Sequence, residues 1–250
     1  MHYLQGPATK AAIKRFMDPD GSVDFYGSRF FPCDGNYWEM MALFDSTVSQ
    51  DPYHAEKFLK EDSIVMDIGA NIGVFTVFAA ALSPKGKVYA FEPVSKTFAT
   101  LSKNIAALRS LGRAEAYRCA LGDKTGETTM RASISATTGS LIEDSPFFSR
   151  QDTFDFDITE RVPTMRIDDF TEKEGLKKLD FIKIDTEGYE RFVLDGARET
   201  IRRFKPAIAM SAYHNPDDKT VLPALVKEIC PEYVVELSAG VEEDFICYVP

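Results

Sequence analysis

The chain has only four cysteines, Cys33, Cys119, Cys230 and Cys247, and no Cys-x-x-Cys pair. Scattered thiols exclude a disulfide framework and a cysteine-ligated zinc site, and they suit reduced side chains in a cytosolic protein. Histidines are as scarce: His2, His54 and His214. No apolar run approaches the roughly 18 residues of a membrane span. The opening segment, M-H-Y-L-Q-G-P-A-T-K, lacks the apolar core of a signal peptide. No internal repeat is visible. Basic residues are outnumbered, 29 Lys and Arg against 39 Asp and Glu, for a net charge of −10. That balance argues against general nucleic-acid binding, which needs Lys and Arg clustered on phosphates. The nearest thing to a basic cluster, Arg198, Arg202, Arg203 and Lys205, is spaced as the wet face and C-terminal end of a helix, where positive charge is favoured.

What is present is a full complement of core residues: 44% of 250 residues are hydrophobic, enough for one sizeable α/β domain with an N-terminal extension. The expected division is an extension over 1–61, acting as an acceptor or cofactor lid, and a domain over 62–250 with an insertion at 126–167. In the extension, a helix is expected at 8–17, turn chemistry at D-P-D-G (18–21), a strand at 23–31 and a helical run at 53–59. From residue 63 the pattern alternates. Strands are expected at 64–68, 87–91 and 114–120, with helices at 72–82 and 95–111. Beyond the insertion come strands at 180–184 and 207–211, helices at 189–204 and 221–230, and a closing antiparallel hairpin at 233–237 and 243–249. Such alternation implies a parallel sheet with helices on both faces. Within the insertion, an extra strand is read at 126–131, a Ser/Thr-rich loop at 132–140, an acidic and aromatic stretch at 142–161 and a strand at 162–167.

The most informative stretch is I-V-M-D-I-G-A-N-I-G at 64–73. A β-branched strand ends in Asp67, two glycines form a turn, and a helix follows, which together make a nucleotide-binding edge. A second strand ends in Glu92, placed to take the two hydroxyls of a ribose. A dinucleotide site would show G-x-G-x-x-G, whereas Asn71 stands at the middle glycine position. Close approach to a pyrophosphate is thereby disfavoured, and the pattern points to a cofactor without phosphates. S-adenosylmethionine fits, its sulfonium and amino-acid tail suiting Asp67. The closing hairpin agrees, since a Rossmann dehydrogenase keeps its sheet parallel.

Five segments then follow in one order: D-I-G-A-N-I-G-V-F-T (67–76), Y-A-F-E-P (89–93), C-A-L-G-D (119–123), D-F-I-K-I-D-T-E-G-Y-E (180–190) and V-L-D-G-A (193–197). Together they resemble the FkbM family of S-adenosylmethionine-dependent methyltransferases over roughly residues 62–215. Y-H-N-P-D-D (213–218) resembles a further segment of that family. The resemblance implies a class I methyltransferase Rossmann-like fold, a seven-stranded mostly parallel sheet of order 3-2-1-4-5-7-6. It implies S-adenosylmethionine as cofactor and S-adenosylhomocysteine as product. Asp67, Gly69, Ala70, Asn71 and Gly73 would line the methionine side, Glu92 and Pro93 the ribose, and Cys119, Ala120 and Leu121 the adenine. The implied reaction is O-methylation of a sugar or small metabolite.

Methyl transfer needs an aligned acceptor and a base at the C-terminal sheet edge. Asp185 ends the strand at 180–184 and is read as base, acceptor anchor or contact to the cofactor's ammonium, with a helix N-cap as the alternative. Glu187 shares the pocket or serves the helix dipole. Glu190 is expected inside the helix, paired with Lys or Arg. His214 titrates near neutrality and is a second candidate base, or else a loop histidine bonded to Asp217 or Asp218; Tyr213 lies beside it. Asp185, Glu187 and His214 have the donor types for a divalent cation, but no dense acidic motif accompanies them and no metal is assigned. Asp168-Asp169 reads as a helix N-cap. Tyr37 and Trp38 are candidates to stack on adenine or cover the acceptor, or to pack the extension. A small-molecule or glycan acceptor is expected, and a homodimer stays open. The competing functions are an RNA or protein methyltransferase, disfavoured by charge and by D-T-E-G in place of an N-P-P-Y tetrapeptide, and a non-catalytic cofactor-binding module.

Overall fold

The computed structural model describes residues 17–108, 112–132, 141–142, 158–239 and 243–250. The expected helix at 8–17, the loop at 132–140, most of the acidic stretch at 142–161 and the turn at 239–240 fall largely outside these residues. Before residue 62 the described residues form a hairpin, β1 (Val23–Phe25) and β2 (Ser28–Phe30), then α1 (Tyr37–Phe44), a π-helical turn (Asp45–Ser49) and α2 (Ala55–Phe58). Where one strand was expected at 23–31 there are two, because Tyr26 and Gly27 both take positive φ (53° and 74°) and close a two-residue turn. Val23, Phe25, Phe30, Cys33 and Met40 share a buried cluster with Ile72, Val74 and Val77.

The alternating region runs β3 (Ile64–Ile68), α3 (Val74–Leu82), β4 (Lys87–Phe91), α4 (Ser95–Ala106) and β5 (Ala114–Tyr117). Then come β6 (Ala120–Leu121), β7 (Gly126–Ala132), β8 (Leu141–Ile142) and β9 (Ile158–Met165). The chain continues through α5 (Ile167–Lys173), β10 (Phe181–Ile184), α6 (Glu190–Asp195), α7 (Arg198–Phe204), β11 (Ala207–Ser211) and α8 (Asp218–Ile229), and ends with β12 (Val234–Ala239) and β13 (Glu243–Tyr248). The large sheet has the order β12-β13-β11-β10-β3-β4-β5. Counted from β3 this is 6-7-5-4-1-2-3, the expected order read from the other edge. β13 runs antiparallel to both neighbours.

Alternate strand residues enter different cores, as a sheet covered on both faces requires. Met66, Ile68, Ile182 and Ile184 pack on one face against Val193, Leu222 and Val226. Val65, Val88, Phe181 and Ala209 pack on the other against Phe75 and Phe78. All four cysteines are free and buried. No helix among the described residues is long and apolar enough to cross a membrane.

Three expectations are corrected. The strand expected at 114–120 ends at Tyr117, and Ala120–Leu121 pairs instead with β9 in a four-stranded second sheet, order β6-β9-β7-β8. The helix expected at 189–204 is two helices, α6 and α7. The helices part at Gly196 and Ala197 (φ −115°), and a Cβ on Gly196 would lie 1.9 Å from the Gly122 carbonyl oxygen, so the backbones meet where a side chain cannot fit. Asp168 does not cap its own helix. Its carboxylate accepts the Thr200 N–H at 2.8 Å and the Glu199 N–H at 3.3 Å, capping α7 from a distance. Asp168→Ala should therefore destabilise the fold by about 1 kcal/mol, the usual cost of a lost cap, read as a lower unfolding midpoint in urea.

Candidate active site

The turn after β3 is shaped by Gly69 (φ 75°), Asn71 (φ 51°) and Gly73 (φ 94°). Asn71 tolerates the left-handed region because its side-chain Oδ1 accepts the Ile72 N–H at 2.7 Å. At Gly69 space also forbids a side chain: a Cβ would sit 1.8 Å from the Asp185 carbonyl oxygen. The ends of β3 and β10 thus lie backbone to backbone, at the edge where open α/β sheets bind ligands. The Gly69 and Ala70 N–H groups donate to the Phe91 carbonyl at 3.1 and 2.9 Å, tying in the end of β4.

Glu92 follows β4. Its carboxylate accepts the Asn71 N–H and the Val94 N–H, both at 3.0 Å. Burial pushes its carboxyl up to about 7, against the pull of those two N–H groups and of Lys183. These elements surround a cleft enclosing ≈ 920 Å³, including solvent at its mouth. Of the residues expected around the cofactor, Gly69, Ala70, Asn71, Glu92 and Pro93 line it on one side. Cys119, Ala120 and Leu121 line it on another, and burial raises the Cys119 thiol to about 11. Asp185 and Glu187 line it as well.

Asp67, Gly73 and His214 are not in that lining. Gly73 shapes the turn, since a Cβ there would meet Leu101 at 2.7 Å. Asp67 is fully buried, accepts the Thr76 hydroxyl at 2.6 Å and has Lys183 Nζ 3.3 Å from its Oδ1. The parallel register pairs Asp67 with Lys183 on adjacent strands, so both side chains leave the same sheet face. Lys183 Nζ donates to the Gly69 carbonyl at 2.7 Å. Burial works against its charge, but Asp67 and Asp185 more than compensate and raise its pKa.

Asp185 Oδ2 accepts the Tyr53 hydroxyl at 3.3 Å. Behind Asp185 and Glu187 lies His214, whose Nε2 is 3.8 Å from Asp185 Oδ1 and 3.5 Å from Glu187 Oε2. Its Nδ1 is 3.1 Å from Glu190 Oε1. Burial lowers the imidazole pKa, but the Glu190 hydrogen bond and the three carboxylates outweigh it and lift the ring to about 10. His214 is therefore a cation at neutral pH. The expected pairing of His214 with Asp217 or Asp218 does not form, because Arg191 holds both, at 2.7 and 3.1 Å.

Glu190 is also corrected. It opens α6 with its side chain fully buried. One oxygen accepts the Thr186 N–H at 2.8 Å, the Thr186 hydroxyl at 3.1 Å and the Gly188 N–H at 3.3 Å. It clamps the loop that holds Glu187 in the left-handed region (φ 53°). Among the described residues, Asp185, Glu190 and His214 offer potential metal-ligand atoms within 4.8 Å of one another; Glu190, rather than Glu187, completes that trio.

The extension reaches the cleft through Leu43, Thr47 and Tyr53, whereas the Tyr37 hydroxyl donates to the Gly21 carbonyl at 2.9 Å and neither Tyr37 nor Trp38 lines the cleft. From the insertion comes Met130. Lys183 and Tyr53 are the residues sequence reasoning missed. The signal for Lys183 was there: a lysine inside F-I-K-I, an otherwise apolar central strand.

The family model for the methyltransferase FkbM domain matches residues 67–237, which contain the glycine turn, Glu92, Asp185 and His214. The chain belongs to the FkbM methyltransferase family. Similar proteins include 2-O-methyltransferase NoeI of Sinorhizobium fredii, 28% identical over 58% of this chain and 61% of its own length. The 31-O-demethyl-FK506 methyltransferase FkbM of Streptomyces tacrolimicus is 30% identical over 56% and 62%. Hexuronic acid methyltransferase AglP of Haloferax volcanii is 26% identical over 75% and 70%. The first two matches span about three fifths of the relatives' lengths. A crystal structure of methyltransferase FkbM from Methylobacillus flagellatus shares the fold, with TM-score 0.57 and 18% identity over 96% of this chain and 59% of that one.

Proposed function

We propose that this FkbM-family chain methylates a hydroxyl of a sugar or small metabolite with S-adenosylmethionine. The carrying observation is one cleft lined both by Glu92, with the glycine turn, and by Asp185. A buried carboxylate whose pKa is lifted by burial gains most from hydroxyl donors such as a ribose diol. The turn brings backbone within reach of a ligand where a side chain would block it. The bound cofactor supplies a methyl carbon already activated by a sulfonium.

The chain's own residues then do two things. The cleft walls align the acceptor, which accounts for much of the barrier lowering in such displacements. Asp185 takes the hydroxyl proton as the acceptor oxygen bonds to the methyl carbon and the carbon–sulfur electron pair passes to sulfur. Of the two candidate bases, the carboxylate faces the cleft and His214 stands behind it already protonated, so His214 is assigned to holding Asp185 and Glu187 in place. No metal is assigned to the step, since the sulfonium already activates the methyl carbon for displacement. The names of the relatives, a 2-O-methyltransferase and a hexuronic acid methyltransferase, support an oxygen acceptor on a sugar.

Calorimetry with S-adenosylmethionine and S-adenosylhomocysteine, followed by labelled-methyl transfer to glycans, tRNA and protein lysate, tests this reading. Binding of both nucleosides and label in glycans, persisting in EDTA, are expected. Failure to bind either nucleoside overturns the cofactor assignment, and label in tRNA or protein overturns the acceptor assignment.

A further inference from the structure

Among the described residues lining the cleft, Lys183 is the only basic side chain, facing an otherwise acidic set of Glu92, Asp185 and Glu187. It is rooted in a central strand, with its side chain only 5% exposed. An ammonium carries three N–H donors. The Gly69 carbonyl takes one, at 2.7 Å, while Asp67 Oδ1 at 3.3 Å and Asp185 Oδ2 at 3.9 Å are ion-pair neighbours. The cation is therefore anchored to the glycine turn, yet it contributes to the cleft surface.

A ligand carrying two positive groups and one carboxylate meets a cleft with three acids and one base. Lys183, although bordered by Asp67 and Asp185, is the cationic side chain of that lining that a ligand's carboxylate would meet. We infer that Lys183 binds the carboxylate of the cofactor's amino-acid tail, at the foot of the glycine turn. This rests on the S-adenosylmethionine reading above and assigns one end of the ligand within it. A carboxylate could also come from an acidic acceptor; contact between Lys183 and the Gly69 carbonyl favours the cofactor's tail, since the turn is where the methionine side is expected.

The test compares two nucleosides that differ in the tail alone. S-adenosylhomocysteine has it; 5′-methylthioadenosine lacks it. Both are titrated calorimetrically into the wild-type chain, Lys183→Met and the charge-neutral pair Asp67→Asn/Lys183→Met, with thermal melting as a check of folding. The double variant removes the buried Asp67 charge together with its Lys183 partner, so it keeps the comparison valid if the single variant fails to fold. Lys183→Met should weaken S-adenosylhomocysteine by about 10–100-fold, the scale of a charge-assisted hydrogen bond, and leave 5′-methylthioadenosine unchanged. Equal weakening of both ligands in the folded variants would mean that Lys183 only supports the turn. No weakening of either would mean no contact with the ligand, and a higher KM for an acidic acceptor with cofactor binding intact would move the contact to the acceptor; each of these overturns the inference. Wild-type chain that binds neither nucleoside defeats the cofactor reading itself, a different result from any of these.

Discussion

Asp185→Asn should lower methyl transfer by about 10²–10⁴-fold, the usual contribution of a general base, while S-adenosylhomocysteine binding stays near the wild-type value. Asparagine preserves the shape of the side chain and an oxygen for the Tyr53 hydroxyl, which Asp185 Oδ2 now accepts at 3.3 Å. It removes the negative charge and the ability to take a proton. Single-turnover rates with labelled cofactor, beside calorimetry, separate the chemical step from binding. A variant that keeps its rate would pass the proton to Glu187, the other carboxylate facing the cleft. His214 does not substitute easily at neutral pH, because the Glu190 hydrogen bond and the surrounding carboxylates keep its ring protonated up to about 10.

The second large effect belongs to Glu92. Glu92→Ala should weaken nucleoside binding by about 3 kcal/mol, roughly 10²-fold, since hydrogen bonds to a charged group each contribute about 1.5–3 kcal/mol. Adenosine should suffer as much as S-adenosylhomocysteine, because the lost contact is to the ribose. Glu92→Gln should fall between, keeping an acceptor oxygen for the Asn71 or Val94 N–H. The pH dependence has a definite sign. A ribose diol donates its hydrogens, so the ionised carboxylate is the binding form, and burial holds that form back until about pH 7. Affinity should therefore rise with pH through about 7 and level off above it. In the ligand-free chain the sign is opposite: a buried carboxyl with a raised pKa favours the folded state at low pH, and that contribution is lost as pH climbs from the ordinary carboxylate range through about 7. Calorimetric titrations across this range that show flat affinity would remove Glu92 from the ribose.

The two carboxylates differ in how they are held, and the difference suits their proposed tasks. Glu92 is fixed by two backbone N–H groups, so it is preorganised for a ligand that always has the same shape. Asp185 is bordered by side chains, Tyr53 from the extension and His214 from the loop after β11. The cleft lining is thus assembled from segments far apart in the chain, Leu43, Thr47 and Tyr53 near the start and Met130 from the second sheet among them.

The sequence by itself determined the sheet and the glycine turn at its edge. Strands such as 64–68 and 87–91 are short β-branched or apolar runs bounded by glycine and proline, a local pattern that needs no partner to be legible. The glycine turn is legible for the same reason: Gly69 and Asn71 answer to backbone angles set within a few residues. Tertiary structure alone decided what depends on register and on side chains meeting across long separations. Lys183 became a cofactor-tail candidate only because parallel pairing sets it beside Asp67. Asp168 caps a helix 30 residues on. Glu190 turned from a helix residue paired with Lys or Arg to a buried clamp because the loop before α6 folds its N–H groups onto it. His214 changed from base to cation because three carboxylates distant from it in sequence converge on one ring. Electrostatic environment is a property of distance in space, and spacing along the chain carries no record of it.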